Sequence, residues 1–208
     1  MENKKNNFLP YIIFFMIFMF NGCATIVYKT FPLKNIAKAK GPYFVGTQNF
    51  QIVDASREMW FSDNIKGSRK LSVKMWYPAD NITSLKKAPY LNEHKLIGSA
   101  ISKLFGVPQA LMDRAGGIKC NSWLNATPAN GKFPIIIYSH GHQSIKVANT
   151  SQAEEMASNG YIVVAMDHSY DAALTILDED KIIYSRSKLP ANDEEALQDS
   201  MILRVKNQ

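Results

Sequence analysis

Residues 133–168, FPIIIYSHGHQSIKVANTSQAEEMASNGYIVVAMDH, decide the fold. Pro134–Tyr138 and Tyr161–Met166 are continuous apolar runs rich in Ile and Val. That is the pattern of parallel strands covered by helices on both faces. Between them, Ser151-Gln152-Ala153-Glu154 has the form of a capping box, and Asn159-Gly160 supplies a left-handed stop. Strand, helix and strand follow one another closely enough to make a compact βαβ crossover. His140-Gly141-His142 leaves the first strand and Asp167-His168 ends the second, so both groups fall on the carboxyl edge, where α/β folds bind ligands.

Working outward, the chain continues to alternate strand and helix signals, as a layered α/β domain should. Lys70–Tyr77 alternates Leu71, Val73, Met75 and Tyr77 with Ser72, Lys74 and Trp76, which predicts a strand that Pro78 stops. Asn49–Val53 reads as a weaker first strand. Asn92–Phe105 places Leu96, Ile97, Ala100, Ile101, Leu104 and Phe105 on one helical face, a stripe expected in the core. Residues 107–132, rich in Gly, Pro, Asn and Ala, read as loop. Downstream, Leu174–Leu177 and Lys181–Tyr184 predict a small hairpin, and a last helix is expected from Asn192.

The N-terminus has a different character. Lys4 and Lys5 precede the apolar run Phe8–Phe20, the layout of a secretory signal and short for a membrane span. Phe20-Asn21-Gly22-Cys23 resembles a relaxed bacterial lipobox, which implies lipid attachment at Cys23. The second reading is an uncleaved signal anchor. Residues 1–22 are thus a signal peptide or anchor, 23–44 a basic tether and 45–208 the folded domain. Lys29, Lys34, Lys38 and Lys40 carry much of the net charge of +6, and they suit anionic lipid head groups beside an anchor. No basic stripe interleaved with aromatics marks the folded part, which argues against nucleic acid. Lipidation of Cys23 would leave Cys120 without a disulfide partner.

Ser68–Asp80 (SRKLSVKMWYPAD), Pro134–His142 (PIIIYSHGH) and Gly160–His168 (GYIVVAMDH) together resemble the amino-terminal half of the α/β-hydrolases related to secreted platelet-activating-factor acetylhydrolase. The resemblance covers roughly residues 45–206. It implies a partial α/β-hydrolase fold, a mixed and mostly parallel sheet flanked by helices, that stops before the nucleophile elbow. It also implies a carboxylic or phospholipid ester as substrate, an acyl-enzyme mechanism and no cofactor. In that family the residue after His-Gly lends its backbone N–H to the oxyanion hole, which falls here on His142, with Gly141 as the turn residue. No G-x-S-x-G occurs in the 208 residues, and no residue here matches the catalytic serine, Asp or His. The expectation is an exported, membrane-anchored portion of a hydrolase, inactive alone, whose partner is a missing carboxy-terminal half. Without the nucleophile strand beside it, the strand at 134–138 becomes an open edge.

The remaining candidates follow from chemistry. His140 at a strand end is expected to bond nearby backbone, and with His168 to form part of a pocket wall. Ser139, Ser144 and Ser169 are not expected to act as nucleophiles, because a serine needs an adjacent base and a sharply exposed turn. A rival reading takes His140-Gly141-His142 as the H-x-H motif of a metal-dependent amidohydrolase, with Asp167 and His168 converging on the ion. A third makes the chain a non-catalytic, lipid-anchored module.

Overall fold

The computed structural model describes residues 36–59, 67–91, 94–177 and 181–185. The apolar N-terminal run, Cys23 and the helix expected from Asn192 lie outside them. The described residues form a mixed sheet of β1 (Phe44–Glu58), β2 (Ser68–Asn81), β3 (Lys87–Pro89), β4 (Lys119–Leu124), β5 (Thr127–Pro128), β6 (Ile135–Ser139) and β7 (Ile162–Asp167), in the order β3-β4-β1-β2-β7-β6 with β5 paired to β2, and a separate two-stranded sheet of β8 (Leu174–Ile176) and β9 (Ile182–Tyr184).

Strands β1 (Phe44–Glu58) and β2 (Ser68–Asn81) form a long antiparallel pair, well beyond the short strands their patterns suggest. Pro78 does not stop β2. A strand residue's N–H and C=O point to the same side, and the Pro78 carbonyl accepts the Ala129 N–H at 2.9 Å. The missing N–H therefore faces the β5 side, where pairing with β7 (Ile162–Asp167) has already ended at Trp76, and the long ladder with β1 loses no bond.

β6 (Ile135–Ser139) and β7 pair in parallel in register, Ile135 to Ile162 through Ser139 to Met166, as the βαβ reading requires. Parallel pairing elsewhere in the sheet is confined to Gly46 and Thr47 of β1 against Trp123 and Leu124 of β4. One face of β6 and β7 is covered: Ile136 and Tyr138 pack with Val163, Ala165, Trp76 and Val45 against Ala153 and Ala157 of a crossover helix. The other face is half-buried on β7 and open on β6. Ile135 is 65% and Ile137 72% exposed, so β6 alternates instead of being buried on both sides, and it is the last strand of the sheet among the described residues.

Three helices are described: α1 (His94–Phe105), α2 (Gln109–Gly116) and α3 (Thr150–Ser158). α3 is the crossover helix, and the expected capping box is not formed. Ser151 lies inside the helix, Asn149 occupies the cap position without a side-chain cap bond, and Glu154 is fully buried. Its carboxylate instead accepts N–H bonds from Ser122 at 2.7 Å and Asn121 at 3.1 Å, and from Asn121 Nδ2 at 3.0 Å. Gly160, at φ +93°, supplies the left-handed stop.

Residues 107–132 are not loop. They hold α2, β4 (Lys119–Leu124) and β5 (Thr127–Pro128). β4 has a polar composition because part of what fixes it is that distant Glu154 carboxylate, a contact no local pattern records. The α1 stripe is core as far as Ile101: Ile97 and Ala100, with Leu96 and Ile101, pack on Leu91, Val147, Leu174 and Ile176, while the side chains of Leu104 and Phe105 lie outside those described. Leu174 and Ile176 belong to the expected hairpin, β8 (Leu174–Ile176) and β9 (Ile182–Tyr184), which closes over α1.

Candidate active site

The chain leaving β6 turns at Gly141–Ser144, where the Ser144 N–H donates to the Gly141 carbonyl at 3.0 Å. Gln143, third in this turn, has φ +50°, the sign a type II turn requires at that place. Gly141 is not in the left-handed region, and a Cβ built there would meet nothing within 4 Å. The bend assigned to Gly141 is thus made at Gln143, and the space over Gly141 is open. His142 is second in the turn, well before α3 begins at Thr150.

His140 ties this turn to the end of β7. Its ring is buried, and its Nε2 accepts the His168 backbone N–H at 3.1 Å. A neutral imidazole that accepts at Nε2 carries its proton on Nδ1, which donates to the Gly141 carbonyl at 2.7 Å. His140 therefore bonds nearby backbone with both nitrogens, as expected of a strand-end histidine. The two rings lie 4.8 Å apart. With exposures of 1% and 0%, His140 and His168 sit in the interior and form no open pocket wall. A small cavity does adjoin the end of β7, but it is lined by Ile97, Lys146, Asp167, Leu174 and their neighbours and touches neither histidine.

Two contacts were not legible beforehand. The His142 ring donates from Nδ1 to Asp171 Oδ1 at 2.9 Å, and the Asp171 side chain is fully buried. The second contact places an imidazole against Ser139, whose Oγ lies 2.6 Å from Nε2 of His168. Sequence separations of 29 in both cases leave no periodic signal. Only the β6-β7 register, known once the strands are paired, brings these residues together.

The metal reading fails on the same geometry. β6 ends at Ser139 and the chain turns, so His140 and His142 do not share a strand face. Both nitrogens of His140 are committed, and Asp167 is taken by Lys146, whose Nζ lies 2.6 Å from Oδ2 and whose backbone N–H donates to Oδ1 at 2.7 Å. No cluster of three or more His, Cys, Asp or Glu among the described residues is placed to share an ion.

Comparison with known proteins agrees with this architecture. Residues 28–206 match the family described as platelet-activating factor acetylhydrolase, isoform II. The chain belongs to that family. Platelet-activating factor acetylhydrolase of Gallus gallus is 24% identical over 144 residues, 66% of this chain and 31% of the relative. A ferulic acid esterase from Streptomyces cinnamoneus matches in structure with a TM-score of 0.66 and 25% identity, over 83% of this chain and 47% of the esterase. The described sheet is therefore part of an α/β-hydrolase-like fold. The chain spans under a third of that acetylhydrolase and about half of that esterase.

Proposed function

We propose that this chain is the oxyanion-binding portion of an exported, lipid-anchored ester hydrolase of serine type, acting on short-acyl carboxylic or phospholipid esters. The observation that carries the reading is the fixed peptide unit between Gly141 and His142. Its carbonyl is held by His140 Nδ1 on one side and by the Ser144 N–H on the other. In a planar trans peptide the N–H points opposite to the C=O, so the His142 donor is aimed away from both groups without reorganisation. The open space over Gly141 leaves room for a carbonyl to approach. Family membership and the esterase likeness support the chemistry. Anchoring at Cys23 through the basic tether is the matching proposal for location. The nucleophile is supplied by a segment bearing G-H-S-x-G, whose strand pairs with the exposed edge of β6.

The chain alone then gives no sustained turnover of p-nitrophenyl acetate, and turnover abolished by a serine-directed phosphonate would overturn the reading. Co-expression with a G-H-S-x-G segment encoded downstream restores turnover. In that complex His142→Ala and His142→Pro both lose the imidazole and its Asp171 contact, and the proline variant also loses the main-chain donor, at a turn position where proline is favoured. Its kcat falls about a hundredfold or more below that of His142→Ala, which keeps the N–H. Equal rates for the two variants would remove His142 from the oxyanion role.

A further inference from the structure

Ser139 closes β6 with its residue surface exposed, while the ring against its hydroxyl belongs to His168, which is fully buried. The two atoms are 2.6 Å apart, a hydrogen bond whose direction is set by the ring's tautomer, and the relevant tautomer is the one in which the hydroxyl donates to the ring nitrogen. Nε2 of His168 is then the acceptor. A hydroxyl donating to an unprotonated imidazole nitrogen is the pairing that activates a serine nucleophile. The parallel register produces it: Ser139 stands opposite Met166, and His168 follows two residues later on the same side of the sheet.

We propose that Ser139 is a covalent acyl-acceptor site with His168 as its base, separate from the oxyanion donor and able to take an acyl group from an activated carboxylic ester. Oγ bonds to the carbonyl carbon as its proton passes to His168 Nε2. The adduct collapses by breaking the bond to the leaving oxygen, which departs as a phenolate anion without contact with the enclosed ring, and the proton on Nε2 is then lost to solvent. The imidazole returns to its neutral state. Hydrolysis of the acyl-serine would need a water against the same nitrogen. His168 is fully buried and its Nε2 is faced by the Ser139 oxygen, so the acyl group itself now blocks the approach. The reaction stops after one equivalent, which keeps it compatible with the absence of sustained turnover.

The test treats the full chain with p-nitrophenyl acetate, follows p-nitrophenolate release and maps the acetyl group by peptide mass analysis. The expected result is a burst of one equivalent with the acetyl on Ser139. Ser56 is an internal control, an exposed serine whose hydroxyl faces the Asp54 carboxylate and no imidazole. Acetylation of Ser139 no faster than that of Ser56, or a full burst surviving in Ser139→Ala, overturns the proposal. His168→Gln, if its circular dichroism is native, should slow labelling of Ser139 on the order of a hundredfold. An unchanged rate in that folded variant overturns the base assignment, and if the variant does not fold, the Ser139 to Ser56 ratio in the parent chain decides. None of these readouts uses the His142 N–H, so failure here and failure of the oxyanion reading are separable.

Discussion

The imidazole of His142 and the carboxylate of Asp171 meet at 2.9 Å, one on the turn after β6 and the other just beyond the end of β7. The acid is fully buried and the histidine 29% exposed, so the pair fastens a surface turn to the interior. An ionised carboxylate has only acceptors, which fixes the His142 proton on Nδ1. Asp171→Ala should cost about 1–3 kcal/mol by urea denaturation, since a hydrogen-bonded group is removed from a buried position. A double-mutant cycle with His142→Ala should return a coupling of about 0.5–3 kcal/mol. Zero coupling would show that the turn is held by its backbone bonds alone.

The turn makes a second prediction about where its bend resides. Gly141 has no left-handed φ and open space around it, so Gly141→Ala should leave stability unchanged or raise it by about 0.4–1 kcal/mol. Gln143 sits at φ +50°, where a β-branched side chain is strained, so Gln143→Val should cost about 1–2 kcal/mol. Thermal melts of the two variants in parallel give the order directly. The reverse order would return the bend to the glycine.

What could be read in the sequence was what is encoded locally. The apolar runs of β6 and β7, the Gly160 stop, the α1 stripe and the β8-β9 hairpin all declare themselves by periodicity or turn chemistry, and each stands in the fold. β4 was invisible because Lys119–Leu124 is polar, and its alignment relies on Glu154 of α3, 32 residues away from Ser122. The same carboxylate looked like half of a capping box, since Ser151 and Glu154 have the right spacing. Burial decided otherwise: an interior acid goes to the N–H groups that need it. In the site, the His-Gly turn was legible through its resemblance to a family. The side-chain pairs Ser139–His168 and His142–Asp171 were not, because each depends on the register between two strands.

The Lys146–Asp167 pair yields a third prediction. Lys146 is 13% and Asp167 4% exposed, and the ammonium also donates to Ser72 Oγ at 2.8 Å. Lys146→Met leaves a buried carboxylate without its counter-charge and should cost about 3–5 kcal/mol. Adding Asp167→Asn removes that charge while its amide oxygen can still accept the Lys146 backbone N–H, so the double variant should regain much of the loss. Chemical denaturation of the three proteins checks this. A double variant as unstable as Lys146→Met would mean that packing of the lysine stem, and not the charge, dominates.

Cys120 supplies the pH dependence. Its thiol is pushed up from 9.0 to about 12, first by burial in β4 and then by the neighbouring Glu154 carboxylate, against the smaller opposing pull of Lys74, Lys119 and Lys87. The neutral thiol is thus favoured by the folded chain more than by the unfolded one. Its contribution to stability is complete below pH 9.0 and drains away as pH rises toward 12, because only the unfolded chain ionises freely there. Tyrosine and lysine titrations occur in both proteins and largely cancel when the parent is compared with Cys120→Ala. The stability difference between the two should be flat from neutral pH to about pH 8. Above pH 9.0 it should change by up to about 1.4 kcal/mol per unit against the parent. Maleimide should label Cys120 slowly at neutral pH and rapidly once denaturant exposes it. A difference that stays flat through pH 11, or fast labelling of the native chain, would mean that the thiol is not shielded as its burial implies.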